Sequence, residues 1–189
     1  MRKNDFKNQV VLEVPATCGN LGSGFDSYGL AINIYNRYTC RIMFEDDPFY
    51  EKIQNKKYPI FWDIDDTLKS EITFDKSNFL LKSLLQIFME KDIALPPLYI
   101  KIDIKIPISR GLGSSANAIV AGLFIGREIL RRFHDHEFGT DEIQYLAHNL
   151  EGHPDNITPA IFGGFAFCFG GSLGDFICKK IKNKFQLLY

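Results

Sequence analysis

The chain has 189 residues, 46% of them hydrophobic and including 17 Phe and 8 Tyr, enough apolar material for one sizeable core and for one domain or little more. Its 22 Lys and Arg nearly balance 23 Asp and Glu, for a net charge of −1. With no long basic stripe apart from the short run Lys179-Lys180-Ile-Lys182-Asn-Lys184, bulk electrostatics point to neither nucleic acid nor an anionic membrane.

From the N-terminus, Val10 to Val14 reads as a first strand. That run contains Glu13 and is too short for a signal peptide or a membrane span, which leads to the expectation of a cytoplasmic protein. Pro15-Ala-Thr-Cys-Gly-Asn-Leu-Gly-Ser-Gly-Phe-Asp26 follows as a loop. Its Thr17, Asn20, Ser23 and Asp26 suit a small polar ligand, or equally an Asx-type surface turn. Leu30 to Phe44 alternates as a strand, with a turn or kink expected near Asn36 and Arg37. Asp63, Asp65 and Asp66 are spaced somewhat like the ligands of a calcium loop, but the required glycine and distal glutamate are missing. A solvated turn is the better reading. Ser77 is a candidate N-cap for a helix over Asn78 to Lys91, ended by Pro96 and Pro97.

From Leu98 to Ile108 the apolar residues Leu98, Ile100, Ile102, Ile104, Ile106 and Ile108 share one parity, the period of a strand with one buried face. A helical pattern begins at Ser115, and Arg131 and Arg132 fall near its C-terminus, where positive charge is favourable. Between the two lies Arg110-Gly-Leu-Gly-Ser-Ser115. Its glycines permit close backbone approach, and Ser114 or Ser115 can cap the helix. The unpaired amides of that first turn can hold an anion. No Walker-A lysine is present, so a phosphate here would rely on amides, hydroxyls and a metal. The bland alternative is a capped connection.

His134-Asp-His136-Glu137 reads as a solvated turn rather than a metal cluster, since an i, i+2 spacing does not suit one helical face. Thr140 is the expected cap of the next helix. Glu151-Gly-His-Pro-Asp-Asn-Ile-Thr-Pro-Ala160 is a third loop, dense in hydrogen-bonding groups, and Ile161 to Gly170 reads as a buried strand. The four cysteines, Cys18, Cys40, Cys168 and Cys178, lack Cys-x-x-Cys spacing and are expected to be free thiols.

Taken together and in this order, the three loops resemble the signatures of the homoserine kinase family, within the galactose, homoserine, mevalonate and phosphomevalonate (GHMP) kinase superfamily. The resemblance covers roughly Val10 to Phe169. It implies an α+β fold of the ribosomal protein S5 domain 2-like type, with a left-handed crossover. It also implies transfer of the γ-phosphate of ATP to the side-chain hydroxyl of L-homoserine, a step of threonine biosynthesis.

Carried over by position, Pro107, Ile108, Ser109, Arg110, Gly111, Leu112, Gly113, Ser114, Ser115, Ala116 and Asn117 would wrap the ATP phosphates, and Asn78 would lie near the adenine. Ser115 or Ser114, with Glu151, would hold Mg2+. Asn20, Asp26, His153 and Asn156 would hold the amino acid. Where relatives such as mevalonate kinase carry an aspartate considered a base, Asn156 cannot act as one. Direct attack by an oriented hydroxyl is therefore favoured, with Asp155 the competing base.

Cys18, Gly19 and Ser23 depart from the family's usual residues in the first loop. The expected division is an N-terminal ATP-binding domain at 1–169 and the start of a C-terminal domain at 170–189, the rest of that domain being missing. The resemblance allows a homodimer. Its alternatives are a non-catalytic ATP-binding remnant and another GHMP small-molecule kinase.

Overall fold

In the computed structural model, which describes residues 8–169 and 177–181, a six-stranded sheet carries its helices on one face. The order is β1 (Gln9–Gly19), β2 (Tyr28–Ile42), β3 (Ile60–Asp63), a 3-10 turn (Asp66–Glu71), α1 (Phe79–Met89) and β4 (Leu98–Asp103). Then come α2 (Ser114–His134), α3 (Thr140–Glu151), α4 (Pro154–Phe162), β5 (Phe165–Phe169) and β6 (Ile177–Ile181). The α+β expectation is met.

Strand β2 organises the sheet. Along its length it pairs antiparallel with β1, while β4 pairs with its C-terminal part (Arg37 to Ile42) and β5 with its N-terminal part (Tyr28 to Leu30). β3 joins the edge of β4 in parallel and β6 the edge of β5 antiparallel. Val10, Val14, Tyr38, Cys40, Ile60, Leu98 and Ile100 share the inner face. They are buried against Leu81, Leu84 and Ile87 of α1 and Ile119, Val120 and Leu123 of α2.

Several boundaries differ from the sequence-based expectations, each for a local reason. β1 runs on to Gly19, so Thr17 and Cys18 are strand residues opposite Ala31 and Leu30. Pro15 does not end the strand because it sits at a register shift: Pro15 faces Tyr35 and the next residue, Ala16, faces Ile32. A proline's missing N–H costs little at such an irregularity. The kink expected at Asn36 and Arg37 is this shift, a few residues earlier on β2.

The isoleucine strand ends at Asp103 rather than Ile108. The amides of Lys105 and Ile106 leave the ladder for the side chain of Asn36, at 2.8 and 2.9 Å, and Pro107 has no amide to offer.

Helix starts shift by one residue. Asn78, not Ser77, caps α1 through its side chain at 3.1 Å from the Leu81 amide. Gly113 precedes α2, which has no side-chain cap, and Gly139 rather than Thr140 precedes α3.

The largest miss is α4. The loop expected over Glu151 to Ala160 is the end of α3, a turn at Gly152 with φ 86, and a nine-residue helix opened by Pro154. Proline is well suited to a helix's first position. Pro159 inside α4 cannot donate to the carbonyl of Asp155, four residues back. That freed oxygen lies against Gly29 of β2, where an added Cβ would sit 1.7 Å from it. α4 continues through Phe162, so the strand expected from Ile161 starts only at Phe165. Residues Ile177–Ile181, placed by expectation in a second unit from 170, form β6 on the same sheet. Residues 170–176 and 182–189 of that unit lie outside the described residues, as do 1–7.

Candidate active site

A cleft of about 710 Å³ opens between the first turn of α2, the N-terminus of α1 and the segment that follows β4. One wall is apolar: Ile102, Ile104, Ile106 and Ile108 face Ile72, Phe79 and Leu80. The parity that reads as a buried strand face therefore builds a cleft wall, because the chain leaves the sheet while the side chains keep alternating. At the other end the lining is polar, with Gly19, Asn20, Asn156, Ser114 and Ser115.

The glycine-serine loop takes left-handed backbone angles at Ser109, Gly111 and Gly113, with φ of 56, 73 and 66. Gly113 also lies close to Thr17, so an added Cβ there would sit 2.0 Å from Thr17 Oγ1. The helix behind it has no side-chain cap. Its first amides therefore meet the cleft with the positive end of the helix dipole, an arrangement suited to an anion.

The loop is fastened from outside by groups that sequence reasoning did not single out for this role. The Thr17 amide donates to Leu112 O at 3.1 Å. Asn117, fully buried, donates to the carbonyls of Val14 and Pro15 at 2.7 and 3.1 Å, and accepts from Asn36 at 3.1 Å and Tyr38 Oη at 2.6 Å. Burial holds the Tyr38 phenol far above its ordinary range, so it remains a donor. The Asn117 side chain thus faces the core, and its amide donates to Gly113 O. Ala116 is also buried. Of the eleven loop residues carried over, these two support the loop from behind.

Pro107 O accepts from Ser114 Oγ at 3.3 Å, and the exposed Arg110 donates to Ser109 O. Asn78 lines the cleft, but its amide group is engaged by Thr73 O at 2.6 Å and by the α1 cap.

Ser115 Oγ donates to Glu151 Oε1 at 2.6 Å. The α3 turn that ends at Gly152 thereby brings the two expected metal ligands together. Both are hard oxygen donors, fitting Mg2+, which usually takes one or two carboxylates and completes its shell with water and phosphate. No cluster of three His, Cys, Asp or Glu able to hold a metal exists among the described residues.

The remaining expected residues meet at the start of α4. Asn20 and Asp26 adopt positive φ of 55 and 52, and Asn20 Oδ1 accepts the Asp26 amide at 2.7 Å. His153 Nδ1 lies 3.6 Å from Asp26 Oδ1. Asn156 lines the cleft, with its Oδ1 accepting from Thr17 Oγ1 at 2.8 Å.

Asp155, by contrast, is 1% exposed and does not line the cleft. Its Oδ1 accepts the Asn156 amide at 2.9 Å, while Oδ2 faces Gly19 without a hydrogen bond of normal geometry. Burial raises its carboxyl above the ordinary carboxylate range; the Asn156 and Asn20 amides work against that shift, and the negative charge of Asp26 adds to it. A carboxyl enclosed in this way orients the amides around it.

Residues 78–164 match the family described as GHMP kinases N terminal domain. Homoserine kinase of Picosynechococcus sp. is 39% identical over 153 residues, covering 81% of this chain and 46% of that protein. Homoserine kinase of Enterococcus faecalis is 38% identical over 154 residues, covering 82% of this chain and 46% of that protein. The crystal structure of homoserine kinase from Cytophaga hutchinsonii has the same fold, with a TM-score of 0.70 at 23% identity over 96% of this chain and 54% of that one. The chain spans about half the length of the curated relatives it matches.

Proposed function

Residues 78–164 of this chain belong to the GHMP kinase N-terminal domain family, and from that premise we propose that the chain carries the ATP-binding and substrate-orienting residues of a homoserine kinase. The reaction is transfer of the γ-phosphate of ATP to the side-chain hydroxyl of L-homoserine, giving O-phosphohomoserine for threonine biosynthesis. The relatives at 38–39% identity support this substrate over mevalonate or galactose.

The observation that carries the proposal is the joint at Asn156. Its side chain accepts a hydrogen bond from Thr17, and the amide of Thr17 holds Leu112 of the phosphate loop. A group bound by Asn156, Asn20, Asp26 and His153 would therefore be indexed to the loop through two hydrogen bonds. In-line phosphoryl transfer needs positioning and charge neutralisation more than covalent help.

Within this reading the amides of Ser109 to Ser115 cradle the phosphates, and the isoleucine wall receives the nucleobase. Ser115 and Glu151 would hold Mg2+, which neutralises phosphate charge when bound. Asp26 receives the substrate ammonium or hydroxyl. Asn156 is an amide and cannot accept the proton, so the hydroxyl, oriented by Asn156, attacks the γ-phosphorus directly as the bond to ADP breaks, and its proton passes to an oxygen of the transferred phosphoryl group.

The test is ADP release by this chain with homoserine, mevalonate and galactose side by side, together with titration calorimetry of ATP with and without Mg2+. Homoserine-dependent release that the other two alcohols do not support is the expected outcome. Ser115→Ala and Glu151→Gln should each remove the gain in ATP affinity that Mg2+ provides. Failure of the chain to bind either ATP or homoserine overturns the proposal.

A further inference from the structure

The cleft uses none of the cysteines, yet two of them meet beneath α4. Cys168 and Cys178 are register partners on β5 and β6, both with free thiols, the first fully buried and the second half-buried. The amide of Cys168 donates to Ser27 O, on the β2 side, at 2.7 Å. In an antiparallel strand the N–H and C=O of one residue point to the same edge. Toward β6, Cys168 therefore stands in a non-hydrogen-bonded pair, the closer kind, with Cα atoms about 4.5 Å apart. That separation falls within the roughly 4.4–6.8 Å that a disulfide spans.

Their surroundings make the two sulfurs unequal. Cys168 Sγ lies 3.2 Å from Thr158 Oγ1 and 3.8 Å from Pro154 O, both in α4, and Thr158 Oγ1 in turn lies 3.4 Å from His148 Nε2. The thiol hydrogen bond between the cysteines lowers Cys178 and raises Cys168, Thr158 and Gln144 lower Cys178 further, and burial adds to the rise at Cys168. Cys178 is thus the accessible, more readily ionised sulfur, and Cys168 the enclosed one.

We propose that Cys168 and Cys178 form a reversible cross-strand disulfide, a modification site whose co-reactant is a small disulfide of the oxidised-glutathione class. The Cys178 thiolate attacks one sulfur of that co-reactant, its S–S bond breaks, and one small thiolate leaves. Cys168 then attacks the Cys178 sulfur of the mixed disulfide, and the second small thiolate departs with the Cys168 proton. Two protein thiols are oxidised by two electrons and one small disulfide is reduced to two thiols. The new bond moves Cys168 Sγ away from Thr158 and from the Pro154 carbonyl, at the first turn of the helix that carries Asp155 and Asn156.

The test equilibrates the chain in glutathione buffers from fully reduced to fully oxidised, quenches in acid, alkylates after unfolding and maps peptides by mass spectrometry. The expected result is a linked peptide pair joining Cys168 to Cys178, with Cys18 and Cys40 alkylated and the link removed by dithiothreitol. Cys178→Ser, at a half-buried position, should abolish the link while circular dichroism stays unchanged, and Cys18→Ser should leave the link in place. A stable glutathione adduct on Cys178 with Cys168 alkylated, a link to Cys18 or Cys40, or full alkylation of both cysteines in every buffer would each overturn the proposal. None of these readouts depends on nucleotide or homoserine, so the outcome is separable from that of the kinase assay.

Discussion

The glycine-serine loop from Pro107 to Ser115 and the first loop from Asn20 to Ser27 meet at Asn156, but they are held in opposite ways. The former is fastened by buried groups on other elements: Asn36 accepts the Lys105 and Ile106 amides, the Thr17 amide donates to Leu112 O, and Asn117 ties the start of α2 to β1 and β2. The latter is held largely by itself, through Asn20 on the Asp26 amide and the Leu21–Gly24 and Gly24–Ser27 backbone bonds, and its Phe25 is 80% exposed. One end of the cleft is thus tied to buried side chains of other elements, while the other rests mainly on local turns, with the Cys168 amide on Ser27 O and His153 beside Asp26 as its longer-range ties. A binding step at the second end must supply ordering entropy that the first end settled during folding.

The largest way to break this contrast is Asn117→Ala. It strands two carbonyls and two side-chain donors in the core, and a loss on the order of 3 kcal/mol is expected in urea unfolding. Gly113→Ala should cost less, about 1–3 kcal/mol, for a residue forced into a left-handed conformation against Thr17. ATP affinity measured by calorimetry should fall with it, and unchanged affinity would show that this loop is not the phosphate cradle.

Asp155→Asn probes the joint between the ends. The folded-state pKa of Asp155 is raised, so its contribution is fully present below the unfolded value of about 3.9 and is lost as pH rises through the folded value. Burial chiefly sets where this happens, and of the charged neighbours Asp26 raises it while His153 lowers it. Urea midpoints of the wild type should decline over that window relative to the variant, and parallel curves would refute the assignment.

The smallest effect on stability belongs to Asn20→Ala, below about 1 kcal/mol for an exposed turn bond. Homoserine binding should nevertheless weaken while ATP binding does not. That split between stability and ligand affinity sharpens the contrast between the two loops. Equal losses of both ligands would erase it.

Local chemistry made much of this legible. The alternation of β1, β2 and β4, the helical period of α1, α2 and α3, and the glycine-serine loop follow from side-chain periodicity and from backbone angles that glycine tolerates. What the order of residues by itself determined is which groups are available: a glycine-serine loop without a Walker-A lysine, and loops that supply Ser115, Glu151, Asn20, Asp26, His153 and Asn156, to which the family resemblance assigns the roles proposed above.

Only the tertiary structure decided how they are held. The Thr17–Asn156 and Asn36–Asn117 bonds join residues 139 and 81 positions apart, and bonds of that range leave no periodic trace in a chain. The same holds for α4, whose helix began inside a stretch that two prolines and a glycine mark as a loop, and for Ile104 to Ile108, which kept the period of a strand after leaving the sheet. After β4 the distant Asn36 side chain offers the Lys105 and Ile106 amides a better partner than the local pattern does, and a buried polar group takes the partner that satisfies it.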